Sequence, residues 1–121
     1  MIFTKKDYID IAGEKIPVKF NMKVFHQFSE ETDVPFFKYI QKVSEGDLLN
    51  ASTTALIYYA LVEGHRIEGK EMPFSREEID EMDIEYVMPF VDKMTQSIEK
   101  LGNGQTAQLK AEANKRRKAK A

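Results

Sequence analysis

A chain of 121 residues is long enough for one domain with its own hydrophobic core and too short for two. Its apolar fraction of 42% and charged fraction of 31% are typical of a folded protein in water, and the absence of cysteine excludes disulfides, thiolate catalysis and cysteine-ligated zinc. Of 18 basic and 20 acidic residues, six basic and one acidic lie in residues 105–121, so that segment carries +5 and residues 1–104 carry −7.

The first predicted element is a β-hairpin within residues 8–20. Polar and apolar residues alternate on both sides of a short polar segment, which is typical of two strands with one buried face. Gly13 can adopt the positive φ of a type II′ turn, and a turn at Gly13-Glu14 would pair Ile11 with Ile16. Because a lone hairpin is only marginally stable, we expect its apolar face to pack on helices.

Four to five helices are predicted to follow, each marked by capping residues and by apolar side chains at helical spacing. The segments are Asn21 to about Asp33, Pro35 to Gly46, Asp47 to about Glu63, a short helix capped by Ser75 with Glu78, and about Ile84 to Leu101. The third is apolar around most of its circumference, which predicts the most buried helix. Gly64 is expected to end it, and a polar loop should run from His65 to Phe74. Pro89 requires that the last helix starts late or bends.

The C-terminal segment, residues 105–121, is predicted to be a disordered basic tail. Leu109 is its only large apolar residue, so it offers almost nothing to bury. The fold prediction is therefore mainly α. An N-terminal hairpin packs on four to five helices within one domain over residues 1–104, and the tail follows.

No catalytic or metal-binding pattern is visible. Neither His26 nor His65 has further ligands at metal-binding spacing. The acidic residues 77–85 lack the glycine and spacing of a calcium loop, and carboxylates at helix starts are the more common reading. No glycine-rich phosphate loop or nucleophile elbow occurs. The sequence therefore predicts neither an enzyme nor a bound metal or cofactor.

Two segments are candidate partner-binding surfaces. Phe36, Phe37 and Ile40 on the second helix could line an apolar groove for a partner, although helical spacing also fits a role in the core. The basic tail could bind a protein or a nucleic acid. The missing aromatic residues and the acidic body argue against nucleic acid. The basic residues singled out in the tail are Lys115, Arg116, Arg117 and Lys118.

The order of these elements resembles the tail assembly chaperones of long-tailed bacteriophages and gene transfer agents. The resemblance covers about residues 8–101 and rests on element order and hydrophobic pattern. The segments that carry it are the hairpin Ile9–Phe20, the helix Asn21–Thr32, Val34-Pro35-Phe36-Phe37, the apolar helix Leu56–Leu61 and Phe74–Ile79.

The resemblance implies a specific role. Such chaperones coat the aggregation-prone tape-measure protein and are displaced as tail-tube subunits polymerise around it. Many occur as a short form and a frameshifted long form whose extension contacts the tube protein, and this chain resembles the short form. The expected location is the cytoplasm of the bacterial host, outside the mature virion. Self-association stays open, and the alternative is a nucleic-acid-associated regulator or adaptor acting through the basic tail.

A membrane location is not expected from the sequence. The first residues lack the apolar core of a secretory signal. The longest apolar run, about residues 55–62, is far shorter than the ~20 residues that cross a bilayer.

Overall fold

The computed structural model describes residues 4–48 and 50–99, with the side chain of Glu99 left aside. Within these ranges a two-stranded antiparallel hairpin precedes five helices, which confirms the predicted fold class. The elements are β1 (Tyr8–Ile11), β2 (Glu14–Pro17), α1 (Met22–Thr32), α2 (Phe36–Ser44), α3 (Ala51–Glu68), α4 (Arg76–Asp80) and α5 (Ile84–Glu99). The predicted helix end at Leu101 and the predicted disordered tail lie outside the described residues.

The hairpin turn lies one residue earlier than the sequence predicted. Ala12 and Gly13 are its central residues, and both have positive φ, 52° and 83°, as a type I′ turn requires. Ile9 therefore pairs with Ile16, so the predicted pairing of Ile11 with Ile16 was wrong. The error shifts the register by two positions, and an even shift leaves the same side chains on the buried face.

Helix α3 is longer than predicted and starts later. Its N-cap is Asn50, whose side chain accepts from the backbone N–H of Thr53, so Asp47 is not the cap. The helix passes Gly64 and ends at Gly69, which adopts the left-handed conformation with φ 77°. The predicted end at Gly64 and the predicted loop from His65 were therefore wrong, because Gly69 provides the C-terminal signal five residues after Gly64.

The other helix boundaries follow the capping residues read from the sequence. Asn21 caps α1 through its side chain, and left-handed Asp33 ends that helix. Ser75 and Glu78 form the predicted capping box of α4. The last helix, α5, starts at Ile84 as predicted, and Pro89 is its sixth residue.

The core surrounds α3, which packs against α1, α4 and β2, while α5 packs against β1. The largest side chains that are almost completely buried come from several elements, and they are Phe28, Tyr39, Leu61, Phe90, Val18 and Val24. Together these contacts bury the apolar face of the hairpin, as the marginal stability of a lone hairpin demands.

Gly64 allows the chain after β2 to lie directly on α3. A Cβ at Gly64 would stand 2.4 Å from both Cα and N of Val18. In the same contact the backbone N–H of Lys19 donates to the carbonyl of Ala60 at 3.0 Å. A helical glycine is thus required here for the close approach of two backbones rather than for a turn.

The helices in the described part of the chain are 5 to 18 residues long. The longest, α3, has 18 residues and buries Glu63 and His65 beside its apolar side chains. None of the described helices combines the length and the apolar character needed to cross a bilayer.

Candidate protein-binding surface

The two histidines differ in their exposure to solvent. His26 is exposed on α1, whereas His65 is buried in α3, where its Nδ1 lies 2.7 Å from the carbonyl oxygen of Leu61. The His65 ring also meets Phe74 edge to face. Among residues 4–48 and 50–99 no three histidine or carboxylate side chains converge as a metal site would require. His65 therefore has a packing role.

A cavity of about 10 Å³ lies between α2, α3 and α5. Tyr39, Thr53 and Phe90 are among its lining residues, and the Tyr39 and Thr53 hydroxyls are hydrogen-bonded to each other at 2.7 Å. Burial raises the pKa of Tyr39. A space of this size holds at most about one water molecule, so it cannot bind an organic ligand.

The predicted apolar surface on α2 divides between the core and the solvent. Phe36 is half-buried and stacks on Phe25 with ring centroids 4.0 Å apart. Ile40 is also half-buried and packs against the core, whereas Phe37 has 44% of its surface exposed. Phe36 and Ile40 are therefore packed against the core, whereas Phe37 faces solvent. A groove lined by all three stays a prediction.

Three more large apolar side chains are exposed in the described residues. Met22 at the start of α1 is 72% exposed, and Ile84 and Met88 on α5 are 63% and 45% exposed. Ile84 and Met88 are four residues apart, so they lie on one side of α5. Exposed apolar residues that share one side of a helix are candidates for contact with a partner.

A polar cluster joins α1, α3 and α4 on the surface. Arg76 of α4 donates to both carboxylate oxygens of Glu31, one of them at 3.0 Å, and its guanidinium lies 4.7 Å from the ring centre of Tyr58. The Tyr59 hydroxyl donates to Glu31 at 2.8 Å. The Arg76 hydrogen bonds hold the pKa of Glu31 below its ordinary value. Both charged side chains are more than a third exposed, so this cluster positions α4 and contributes little stability.

A buried carboxylate, Glu63, ties the start of α1 to the middle of α3. Arg66 donates to its two oxygens at 2.5 and 3.0 Å, and the side-chain amide of Asn21 donates at 2.7 Å. Lys23 adds a longer ion pair at 3.9 Å. Asn21 is therefore used twice, because its amide oxygen caps α1 while its amide nitrogen binds Glu63.

Glu63 should make folding stability depend on pH. Its pKa lies below the ordinary value mainly because Arg66 donates to it, while burial opposes that shift and Asn21 supports it. A carboxyl group with a lower pKa in the folded state stabilises the fold above its unfolded pKa of roughly 4.3, and the contribution disappears as the pH falls through the folded value. Glu63→Gln should cost about 1–3 kcal/mol of unfolding free energy at pH 7, because it sets an amide nitrogen against donors.

The measurement is urea unfolding of both proteins between pH 7 and pH 3. The difference between them should narrow as the pH falls below the unfolded pKa of roughly 4.3, because the unfolded chain then binds a proton at Glu63 while the folded chain resists it. Glu30→Gln is the matched control, since Glu30 is exposed and forms no ion pair with any described residue. A Glu63→Gln penalty that stays constant across the range would contradict the ionic role.

Sequence reasoning did not single out Glu63, Arg76 or the tyrosine pair. Glu63 carried one usable signal, since it is an acidic residue within an apolar helix and Arg66 follows at the i,i+3 spacing of an ion pair. Arg76 and Glu31 are 45 positions apart in the sequence, so no local pattern predicts their contact.

The four basic residues predicted as a binding patch, Lys115, Arg116, Arg117 and Lys118, lie outside the described residues. The described candidate surface therefore consists of Phe37 on α2 and of the exposed apolar residues on α1 and α5. Comparison of the chain with protein-family models, with curated proteins and with solved structures found no match.

Proposed function

We propose that this protein is a phage tail assembly chaperone that binds the tape-measure protein and is displaced when the tail tube polymerises. The observation that carries the proposal is the 44% exposure of Phe37 on a helix whose neighbouring apolar residues are packed. An exposed aromatic side chain on a rigid support is a typical anchor for a partner. The element order behind the family resemblance, a hairpin followed by helices, supports the same role.

Reversible binding fits the composition of the surface. Met22 and Met88 are flexible apolar side chains that adapt to different partners. The net charge of −7 over residues 1–104 keeps such an apolar surface soluble. A chaperone that releases its client needs an interface of modest area, and a few separated apolar residues provide one.

Capture of a tape-measure fragment by Phe37→Asp tests the proposal. A charge in place of a central aromatic anchor should raise the Kd about 30-fold, which corresponds to a loss of about 2 kcal/mol. The measurement is titration calorimetry with a helical segment of the tape-measure protein from the same genome.

Gln96→Asp is the matched control, because Gln96 is exposed on α5, two turns beyond Met88, and its replacement introduces the same charge away from Phe37. It should bind within about twofold of wild type, since surface substitutions outside an interface rarely exceed ±0.5 kcal/mol. Undiminished binding by a Phe37→Asp protein with a native circular dichroism spectrum would remove Phe37 from the interface. Absence of binding by the wild-type chain would reject the function itself.

The proposed role places the chain in the cytoplasm of the infected host during assembly. It is absent from the finished particle, because the tube protein takes its place on the tape measure. The tail-tube protein is therefore a second proposed contact.

A further inference from the structure

One side of α5 carries an apolar stripe that no described residue covers. Ile84 and Met88, at i and i+4 spacing, are 63% and 45% exposed, and the exposed stripe ends before Val91, which is half-buried against the core. The stripe runs beside the buried side of the helix, which carries Phe90 and Met94. This spacing is the one by which helical surfaces present anchors to a partner segment.

Exposed carboxylates precede and flank the N-terminal end of that stripe in the sequence. Six acidic residues occur within residues 77–85, and all six are exposed. They are Glu77, Glu78, Asp80, Glu81, Asp83 and Glu85. No basic side chain in residues 4–48 or 50–99 forms an ion pair with any of them. A segment that covers Ile84 and Met88 would therefore bring its own charges against an uncompensated negative rim.

Helix electrostatics account for only part of this rim. Glu77 and Glu78 lie in the first turn of α4 and Glu85 in the first turn of α5, where carboxylates are favoured. Asp83 directly precedes α5, where a carboxylate is also favoured, but Asp80 and Glu81 lie at the C-terminal end of α4, where the helix dipole does not favour negative charge. The rim thus holds more negative charge than the two helix starts require.

We propose that the basic tail, residues 105–121, docks on this side of α5 within the same chain. Charge complementarity supports this occupant, because the tail carries +5 and five of its six basic residues fall in residues 115–120. Leu109, the single large apolar residue of the tail, then contacts the stripe near Met88. The basic run lies beyond it, next to Ile84 and its acidic rim.

The length of the connection permits the docking. From Ile84 to the end of α5 at Glu99 is about 22 Å at 1.5 Å per residue. The 16 residues from Glu99 to Lys115 can span up to about 53 Å when extended. With coil dimensions, as the sequence predicts, their root-mean-square length is about 20–24 Å. That length matches the span, which is the condition for the highest effective concentration of a tethered segment.

Paramagnetic relaxation on the full-length chain tests the docking without any client protein. The chain has no cysteine, so Ala119→Cys provides a unique site for a nitroxide label. Methyl resonances of Ile84 and Met88 should broaden several-fold more than that of Met22, the most exposed of the large apolar side chains described. In 1 M NaCl, where the Debye length is about 3 Å, the excess broadening should disappear.

Two charge variants on the labelled chain complete the test. Replacing Lys115, Arg116, Arg117 and Lys118 by glutamine should remove the excess broadening. On the acidic side, Glu81→Gln with Asp83→Asn should reduce it at least twofold, whereas Asp10→Asn with Glu14→Gln, an exposed pair on the hairpin, should not.

Equal broadening at Met22 and Met88 would overturn the proposal, since it indicates random collisions. Broadening that appears only when labelled and isotope-enriched chains are mixed would also overturn it, because the tail would then dock on a second copy.

Discussion

Gly64→Ala is expected to lower the unfolding free energy by about 1–2 kcal/mol, although alanine is the better helix former. The new Cβ would lie 2.4 Å from two backbone atoms of Val18 and 2.6 Å from the carbonyl carbon of Pro17. Backbone atoms cannot rotate away as the end of a side chain can, so β2 must move off α3. Overpacking of this kind typically costs 1–3 kcal/mol, and occasionally more.

The higher helix propensity of alanine opposes this loss of stability, so the sign of the measured change shows which effect is larger. In a helix interior alanine is favoured over glycine by about 1 kcal/mol, so without the close approach Gly64→Ala would stabilise the protein. Urea unfolding gives the sign directly. Gly46→Ala is the control, because a Cβ there meets nothing within 4 Å and the cost of about 1–2 kcal/mol is limited to the strained φ of 94°. A Gly64→Ala protein at least as stable as wild type would show that β2 and α3 are not in backbone contact.

The same glycine explains the largest error in the prediction from sequence. A glycine after an apolar helical run is a common helix end, and this reasoning placed the end of α3 at Gly64 and began a loop at His65. Gly69 carries the same signal and is the real end. Only the contact with Val18, 46 positions earlier, distinguishes a packing glycine from a terminating one, and a local pattern contains no information about that contact.

Structural features whose interacting groups are close in sequence were predicted correctly from local residue chemistry. The caps at Asn21 and Ser75 depend on groups three residues away, and the structure shows both as predicted. The hairpin was found for the same reason, but its turn was misplaced. Ala12 at φ 52° is an uncommon left-handed alanine, so glycine chemistry alone favoured the neighbouring position.

For the candidate surface, the sequence predicted that three apolar residues lie on one helix, but it did not predict how that helix is oriented. Phe36, Phe37 and Ile40 were proposed together as a partner surface, yet residues at adjacent positions point in directions about 100° apart on a helix. Phe36 turns toward Phe25 and Phe37 turns to solvent. The orientation of α2 follows from the aromatic contacts that attach it to α1. The pattern within α2 alone does not predict contacts with another helix.

Phe28→Ala is expected to destabilise the domain strongly, because the ring of Phe28 attaches α2 to α1. Phe28 has no exposed surface, and its ring meets Tyr39 edge to face at 5.0 Å and Phe36 edge to face at 6.2 Å between centroids. Removing a buried phenylalanine ring costs about 3–5 kcal/mol. That is a large part of the 5–15 kcal/mol that stabilises a typical domain. Phe37→Ala, on the exposed side of α2, should change stability by less than about 0.5 kcal/mol.

Hydrogen exchange would show which helices lose stability in the Phe28→Ala protein. The rings of Phe28, Phe36 and Tyr39 belong to α1 and α2, so the amides of these two helices should lose protection before the centre of α3 does. Phe28→Leu keeps an apolar side chain in the same place and should retain more than half of the lost stability. Uniform loss of protection across all helices would mean that α2 is not a separately loosened unit. In that case Phe37 would lie on a helix that unfolds only with the whole domain, and the proposed client binding could not be changed through the attachment of α2.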